Sequence, residues 1–367
     1  MKISKYHNDK MKTLIILFSL IAIALLLISC RKDDPIQPQP PTPGKRDYVW
    51  NLYNFKYPGS YQTNMRSIWA SSPKDVYIVG HTDESPTGAM YHYDGDRWSP
   101  VTLSVRDGGL ISGFVDFSSV YGFSPKDIWA VGAKAYLGPP PNYNYIDSSI
   151  IIHWDGTAWR EFPIKRGRSL YTIWSSSPND IWTGGGYGTL YHYNGVAWIK
   201  LPFDTLFYFN NLSGFNSDDI YSTCGKLIDA VQPYDSSQYF LYHYNGMQWS
   251  PLDSFMVTVD HPDWKFGLNL WSTDKLYAST YGVYLWQKSG WKQLFYNDWP
   301  LHIGGSSNEN IFAVGDLGRI FEWNGTDWKQ FTDIEYPNIQ WTGVWTNNVE
   351  TFIVGNDGMT SYIMHGK

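Results

Sequence analysis

One phrase returns five times along this chain: YHYDGDRW at 91–98, IHWDGTAW at 152–159, YHYNGVAW at 191–198, YHYNGMQW at 242–249 and FEWNGTDW at 321–328. Each copy lies between short alternating apolar segments. That is the signature of a small antiparallel sheet repeated in an array, because one such unit cannot bury its apolar surface alone. The Asp-Gly and Asn-Gly pairs mark tight hairpin bends. The third repeat displays the whole unit: a first strand over Ser169–Trp174, a turn over Ser175–Asn179, a second strand over Asp180–Gly184, a third over Leu190–Tyr193 and, after the bend, a fourth over Trp198–Leu201.

Second strands recur seven times, at Val76–Val79, Ile128–Val131, Ile181–Thr183, Ile220–Thr223, Leu276–Ser279, Ile311–Val314 and Thr351–Val354. Fourth strands, each a Trp with an apolar residue three later, start at Trp98, Trp159, Trp198, Trp249, Trp291 and Trp328, which leaves the last repeat without one. The missing strand matches Trp50-Asn51-Leu52-Tyr53. The expected fold is an all-β, seven-bladed β-propeller of four-stranded antiparallel blades, closed by an N-terminal strand that completes the last blade and removes an open edge. Aromatic residues make up 18% of the chain, with 19 Trp and 28 Tyr, which suits such a fold. The repeated Trp residues are expected to fill the space between blades.

Residues 1–29 read as an export signal. Lys2, Lys5, Lys10 and Lys12 precede an apolar run from Leu14 to Ile28, too short for a comfortable span and ending in Leu27-Ile28-Ser29-Cys30. This ending resembles the lipobox of bacterial lipoproteins, and the resemblance implies that Cys30 is diacylated, with palmitate-type chains, as the mature N-terminus. Residues 30–46 form a Pro-rich linker and 47–367 the propeller domain. The charged run Arg31-Lys32-Asp33-Asp34 looks like the signal that sends Bacteroidota-type lipoproteins to the cell-surface leaflet of the outer membrane. Loss of residues 1–29, with four Lys and one Asp, takes the net charge from −6 to −9, so nucleic acid is not an expected partner. Cys224 is the other cysteine, which rules out a disulfide framework.

The repeat as it stands in SPKDIWAVG at 124–132 and IIHWDGTAW at 151–159 resembles a family of bacterial propeller repeats found in extracytoplasmic proteins, lipoproteins among them. Its layout is similar to that of photosystem-II-assembly-factor-like propellers and of Asp-box sialidases. The Asp-box has a residue between its Asp and Gly, whereas Asp94-Gly95 and Asp155-Gly156 are adjacent here. The resemblance covers residues 47–367 and speaks for fold.

No catalytic constellation is legible. His92, His153, His192 and His243 share one repeat position, which places them in different blades, too far apart to hold one metal ion. Each is expected to hydrogen-bond within its own blade, as is Glu322 at the same position. Asp75, Asp127, Asp180 and Asp219, just before the second strands, are expected to bond turn amides. No cofactor or metal is implied, and a monomeric propeller is expected.

The turn after the third strand is constant in length, whereas the connection after the second varies: nineteen residues in blade two (Ala133–Ile151), seventeen in blade four (Gly225–Leu241), six in blade three (Gly185–Leu190). Variable loops on a regular scaffold mark the binding face. Two long connections flanking a short one predict a groove, with Tyr136, Tyr143, Tyr145 and Asp147 on one wall, Asp229, Tyr234, Asp235 and Tyr239 on the other, and Tyr187 on the floor. The expected function is a non-enzymatic surface lipoprotein whose face binds a glycan or an envelope or extracellular protein. The alternatives are a propeller glycosidase or lyase and an envelope assembly or docking factor.

Overall fold

The computed structural model describes residues 44–137, 145–162, 164, 167–226, 236–258, 267–298 and 301–367. The calls on residues 1–43, including Cys30, therefore lie outside the described residues, as do those on Tyr143, Asp229, Tyr234 and Asp235. Twenty-eight strands form seven four-stranded antiparallel sheets. Six of these run in simple chain order. In the seventh, Trp50–Phe55 pairs with Ser361–Gly366, Trp50 opposite Gly366, beside Thr351–Asn356 and Gln340–Thr346. Val49 and Lys367 exchange two further backbone hydrogen bonds, so the chain's two ends close the ring.

The core is a set of wedges. Seven apolar clusters are present, each spanning two adjacent blades. The outer-strand Trp of one blade packs on an aromatic of the preceding blade's second strand: Trp159 on Tyr77, Trp198 on Trp129, Trp249 on Trp182, Trp50 on Phe312 and Trp98 on Phe352. Edge-to-face geometry recurs because ring quadrupoles favour it.

The recurrent His serves its own blade by hydrogen bonding, as expected, and its partner is the Asp that precedes the second strand. His92 pairs with Asp75 at 2.7 Å, His153 with Asp127 at 2.8 Å, His192 with Asp180 at 2.6 Å and His243 with Asp219 at 2.8 Å. Blade seven repeats the device with His365 and Glu350 at 2.7 Å. His92, His153, His192 and His365 each stack on the same second-strand aromatic that receives the neighbouring blade's Trp, for example His153 on Trp129 at 3.9 Å and His365 on Phe352 at 3.8 Å, and His243 stacks on Tyr221. The Asp residues are therefore not turn ligands. The turn amides of Lys74, Lys126 and Glu309 instead bond to Ser72, Ser124 and Ser307, each at 3.2 Å.

Glu322 departs from its expected role. It is fully buried, and neither carboxylate oxygen has a hydrogen-bond partner among the described residues. Its compensating charge is Arg46, at 3.6 Å, from the segment leading into the ring-closing strand. Burial pushes its pKa up to about 7 against the opposing pull of Arg46.

The two longest connections are partly strand. Asp127–Leu137 pairs with Tyr145–Trp154 out to Leu137 opposite Tyr145, and Asp219–Lys226 pairs with Ser236–Tyr244 out to Lys226 opposite Gln238. Both hairpins thus continue the sheet past the body of the blade.

Candidate functional site at the mouth of the central channel

The seven first strands line a channel of about 360 Å³. Five of them carry a β-bulge at the same place, where one residue is left out of the ladder: Arg66, Ser118, Tyr171, Asn210 and Thr342. A bulge leaves its extra residue unpaired and re-aims it, and all five line the channel. Blades five and six have unbroken ladders here and contribute Asn269 and His302. In blade one the bulge sits beside Gly80 and Val79, in the later half of the second strand Asp75–Thr82, so this stretch of the channel lies toward the face bearing the variable connections. Farther along, Trp69 and Trp271 press on glycines of the next blade's first strand. A Cβ at Gly122 would meet Trp69 at 2.7 Å, and one at Gly305 would meet Trp271 at 2.9 Å.

The channel lining is largely amide and hydroxyl, with Ser67, Ser118, Ser119, Thr172, Asn210, Asn211, Asn269 and Thr342. Its arginine is already matched: Arg66 bonds Asp116 at 2.7 Å and lies 2.9 Å from His81 Nδ1. Burial pushes Asp116 up, but His81 and Arg66 outweigh it and hold the carboxyl below its usual range. Burial lowers His302 to about 4, which leaves it neutral at pH 7. The Asn210 Nδ2 is buried without a partner among the described residues. It can still donate to a ligand carbonyl or hydroxyl.

An aromatic row flanks the mouth. Tyr187, 54% exposed, holds a left-handed backbone with φ 53°, and the Arg168 guanidinium lies 4.7 Å from its ring centre. Tyr171, 41% exposed, lies against the bare backbone of Gly186. Tyr208 presses on Gly225, where a Cβ would sit 2.2 Å from its hydroxyl. Burial and then the neighbouring Tyr239 and Tyr171 raise the Tyr208 pKa, and burial and then Tyr187 raise that of Tyr171. The row thus runs Tyr187, Tyr171, Tyr208, Tyr239, and Tyr239 stacks on Phe255 at 5.4 Å.

Of the groove residues expected from sequence, the structure brings Tyr187 and Tyr239 to the two ends of this row. Tyr136, Tyr145 and Asp147 are placed by backbone only, in the extended hairpin of blade two, with Tyr136 opposite Ile146, Tyr145 opposite Leu137 and Asp147 opposite Ala135. Sequence reasoning missed Tyr171, Tyr208 and the bulged residues. A bulge has no residue signature, and its trace is one extra position between the first strand's start and its turn, present in blade three and missing from blades five and six.

No protein-family model and no curated protein matches the sequence. Among solved structures, the fold superposes on YCF48 bound to a D1 peptide with a TM-score of 0.57, 16% identity, and coverage of 88% of this chain and 99% of that one. YCF48 from Cyanidioschyzon merolae gives 0.52 and 14%, covering 86% and 98%. The computationally designed Ika8 protein gives 0.50 and 11%, covering 83% and 97%. At these identities the likeness is one of fold.

Proposed function

We propose that this protein is a non-enzymatic binding module, held at the outer-membrane surface by a lipid on Cys30, that takes an extended polypeptide segment of a protein partner at the channel mouth. The observation that carries the reading is the ring of five re-aimed side chains, four of them neutral and the fifth, Arg66, matched by Asp116, with the Asn210 Nδ2 buried and without a partner among the described residues. Amides and hydroxyls match the alternating donors and acceptors of a peptide backbone, and the tyrosine row offers flat surfaces for its side chains. The peptide-bound YCF48 propeller supports the same use of the fold. Glycoside cleavage would need two carboxylates flanking the bond. The ionisable side chains lining this channel, among the described residues, are Arg66, Tyr171 and His302.

A glycan is the second reading, favoured by the exposed faces of Tyr187 and Tyr171, since a flat ring suits pyranose C–H groups. The full chain should be presented to a peptide array and a glycan array side by side, with Asn210→Ala and Tyr171→Ala as variants. Peptide binding lost in both variants at unchanged Tm is the expected result. Binding confined to glycans would select the second reading, and released product would turn the assignment to an enzyme.

A further inference from the structure

A phenylalanine from the outer strand, or from just after it, closes most of the seams between blades. Phe162 and Phe331 each stand three residues after the outer-strand Trp, and each donates a backbone hydrogen bond to a third-strand carbonyl of its own blade, Ile151 at 2.8 Å and Ile320 at 3.0 Å. Phe162 fills the space between Trp129 of its own blade and Tyr193 of the next, 5.6 Å from each ring centre, and Phe331 packs on Trp50 at 5.4 Å. Phe55, Phe203 and Phe295 close three further seams, on Tyr91 at 4.5 Å, on Tyr242 at 5.2 Å and on Trp328 at 4.5 Å. Blade one has Val101 at this position, three residues after Trp98 and with the same bond, to the Met90 carbonyl at 2.9 Å. A cleft of about 560 Å³ lies at its seam with blade two. Tyr77, His92 and Val101 of blade one, Trp154 and Trp159 of blade two, and the half-exposed Leu110 from the segment joining them are among its lining. Tyr77 and Trp154 hold the repeat positions of Trp129 and Tyr193, the two rings that Phe162 touches in the next seam.

Two features narrow the chemistry of an occupant. The lining holds no Lys, Arg, Asp or Glu, and the His92 Nε2 is already taken by Asp75 at 2.7 Å, so a charged molecule would leave water for a site without a counter-ion. Trp159 is 5% exposed, and its indole N–H makes no hydrogen bond among the described residues. The same N–H is sealed off in Trp50, Trp98, Trp198, Trp249 and Trp328, whereas Trp159 borders the cleft, where an acceptor can enter. We propose that this seam binds a small, uncharged aromatic molecule, whose flat ring takes the place of the missing phenylalanine between Tyr77 and Trp154 and whose hydroxyl or carbonyl accepts the Trp159 N–H. Aromatic walls favour such a ring in offset or edge-to-face contact. Clefts of this size hold whole small molecules, and this one exceeds a single phenyl ring, which favours a free molecule over one inserted side chain. The cleft shares no lining residue with the channel and does not require the peptide-binding reading.

The probe is 2-naphthol, with naphthalene as the companion that lacks an acceptor, titrated against the full chain and read by saturation-transfer NMR. The expected result is binding of 2-naphthol that is lost in Val101→Phe, whose own ring closes the seam, with Tm held or raised. Trp159→Phe should weaken 2-naphthol roughly tenfold, the worth of one hydrogen bond, and change naphthalene little. Asn210→Ala should leave both untouched. No binding of 2-naphthol at its solubility limit, or equal binding by the Val101→Phe chain, would overturn the proposal. Equal weakening of the two probes by Trp159→Phe would overturn the hydrogen bond assigned to the indole. N-acetylphenylalaninamide carries an aromatic ring on a peptide backbone, and tighter binding of it than of 2-naphthol would overturn the choice of a free molecule in favour of a side chain of another polypeptide.

Discussion

The His–carboxylate pairs show how one residue position can serve three contacts at once. In blade three, His192 hydrogen-bonds Asp180, stacks on Trp182, and so fixes the ring that Trp249 of blade four packs against. Burial pushes the Asp180 pKa up, but hydrogen bonds from His192, Ser176 and Trp182 outweigh it and keep the carboxylate ionised. Glu322 occupies the His position in blade six with no such support. Its folded pKa of about 7 lies above the ordinary value, so its contribution to stability is present below about pH 4.5 and is lost as pH rises through 7. Glu322→Gln should therefore stabilise the propeller at pH 8 and hardly at all at pH 4.5, by up to about 3 kcal/mol if the whole shift is felt. Denaturant midpoints across that range would show it, and a difference independent of pH would contradict it. His302 works in the opposite direction. Lowered to about 4, it stabilises above pH 6.5 and loses that contribution as pH falls toward 4, so His302→Gln should flatten the acid limb. At Gly122 the constraint is steric, because an added methyl would strike the Trp69 ring at 2.7 Å. Gly122→Ala should cost about 1–3 kcal/mol by overpacking, measured by chemical unfolding.

At the scale of strands, the blade count was readable because the outer-strand Trp is obligatory. Its indole fills the gap between wedges, so the turn leading to it keeps its length even in blade five, where Gly290 directly precedes Trp291. The closing strand was readable for the same reason, since Trp50 meets Phe312 as the other outer Trp residues meet their aromatic partners. Deletion of residues 47–56 removes that strand, the Tyr48 and Trp50 rings and the bonds to Lys367. The truncated chain should melt well below the intact one in calorimetry, and an unchanged Tm would end the latch account. The inner ends of the first strands were not readable. Arg66, Ser118, Tyr171, Asn210 and Thr342 share no chemistry, only a backbone irregularity, and side chains facing the channel are free of the packing that makes core positions recur. The long connections misled for a related reason. Residues such as Ser148, Ser149 and Ile150 continue a ladder that local composition alone assigns to loop.

For the whole molecule, the N-terminal strand Trp50–Phe55 closes the ring against Ser361–Gly366. If Cys30 is the lipidated residue, Cys30→Ser should move the protein from membrane to soluble fraction, because one diacylated N-terminus supplies the membrane affinity. Fractionation followed by blotting would test this, and a mutant that stays with the membrane would refute it. Seven wedges leave one channel on the axis, and its mouth gathers neutral hydrogen-bonding groups beside a tyrosine row. The account stands or falls on what enters there. The most direct measurement places a photo-crosslinking amino acid at Tyr171, in living cells that make the protein, with Val196 on the opposite face as the comparison site. The account predicts a covalent adduct at position 171, mapped by mass spectrometry to a single extended segment of another protein and missing from position 196. Crosslinks at 196 with none at 171, or an adduct at 171 made only of carbohydrate, would contradict it.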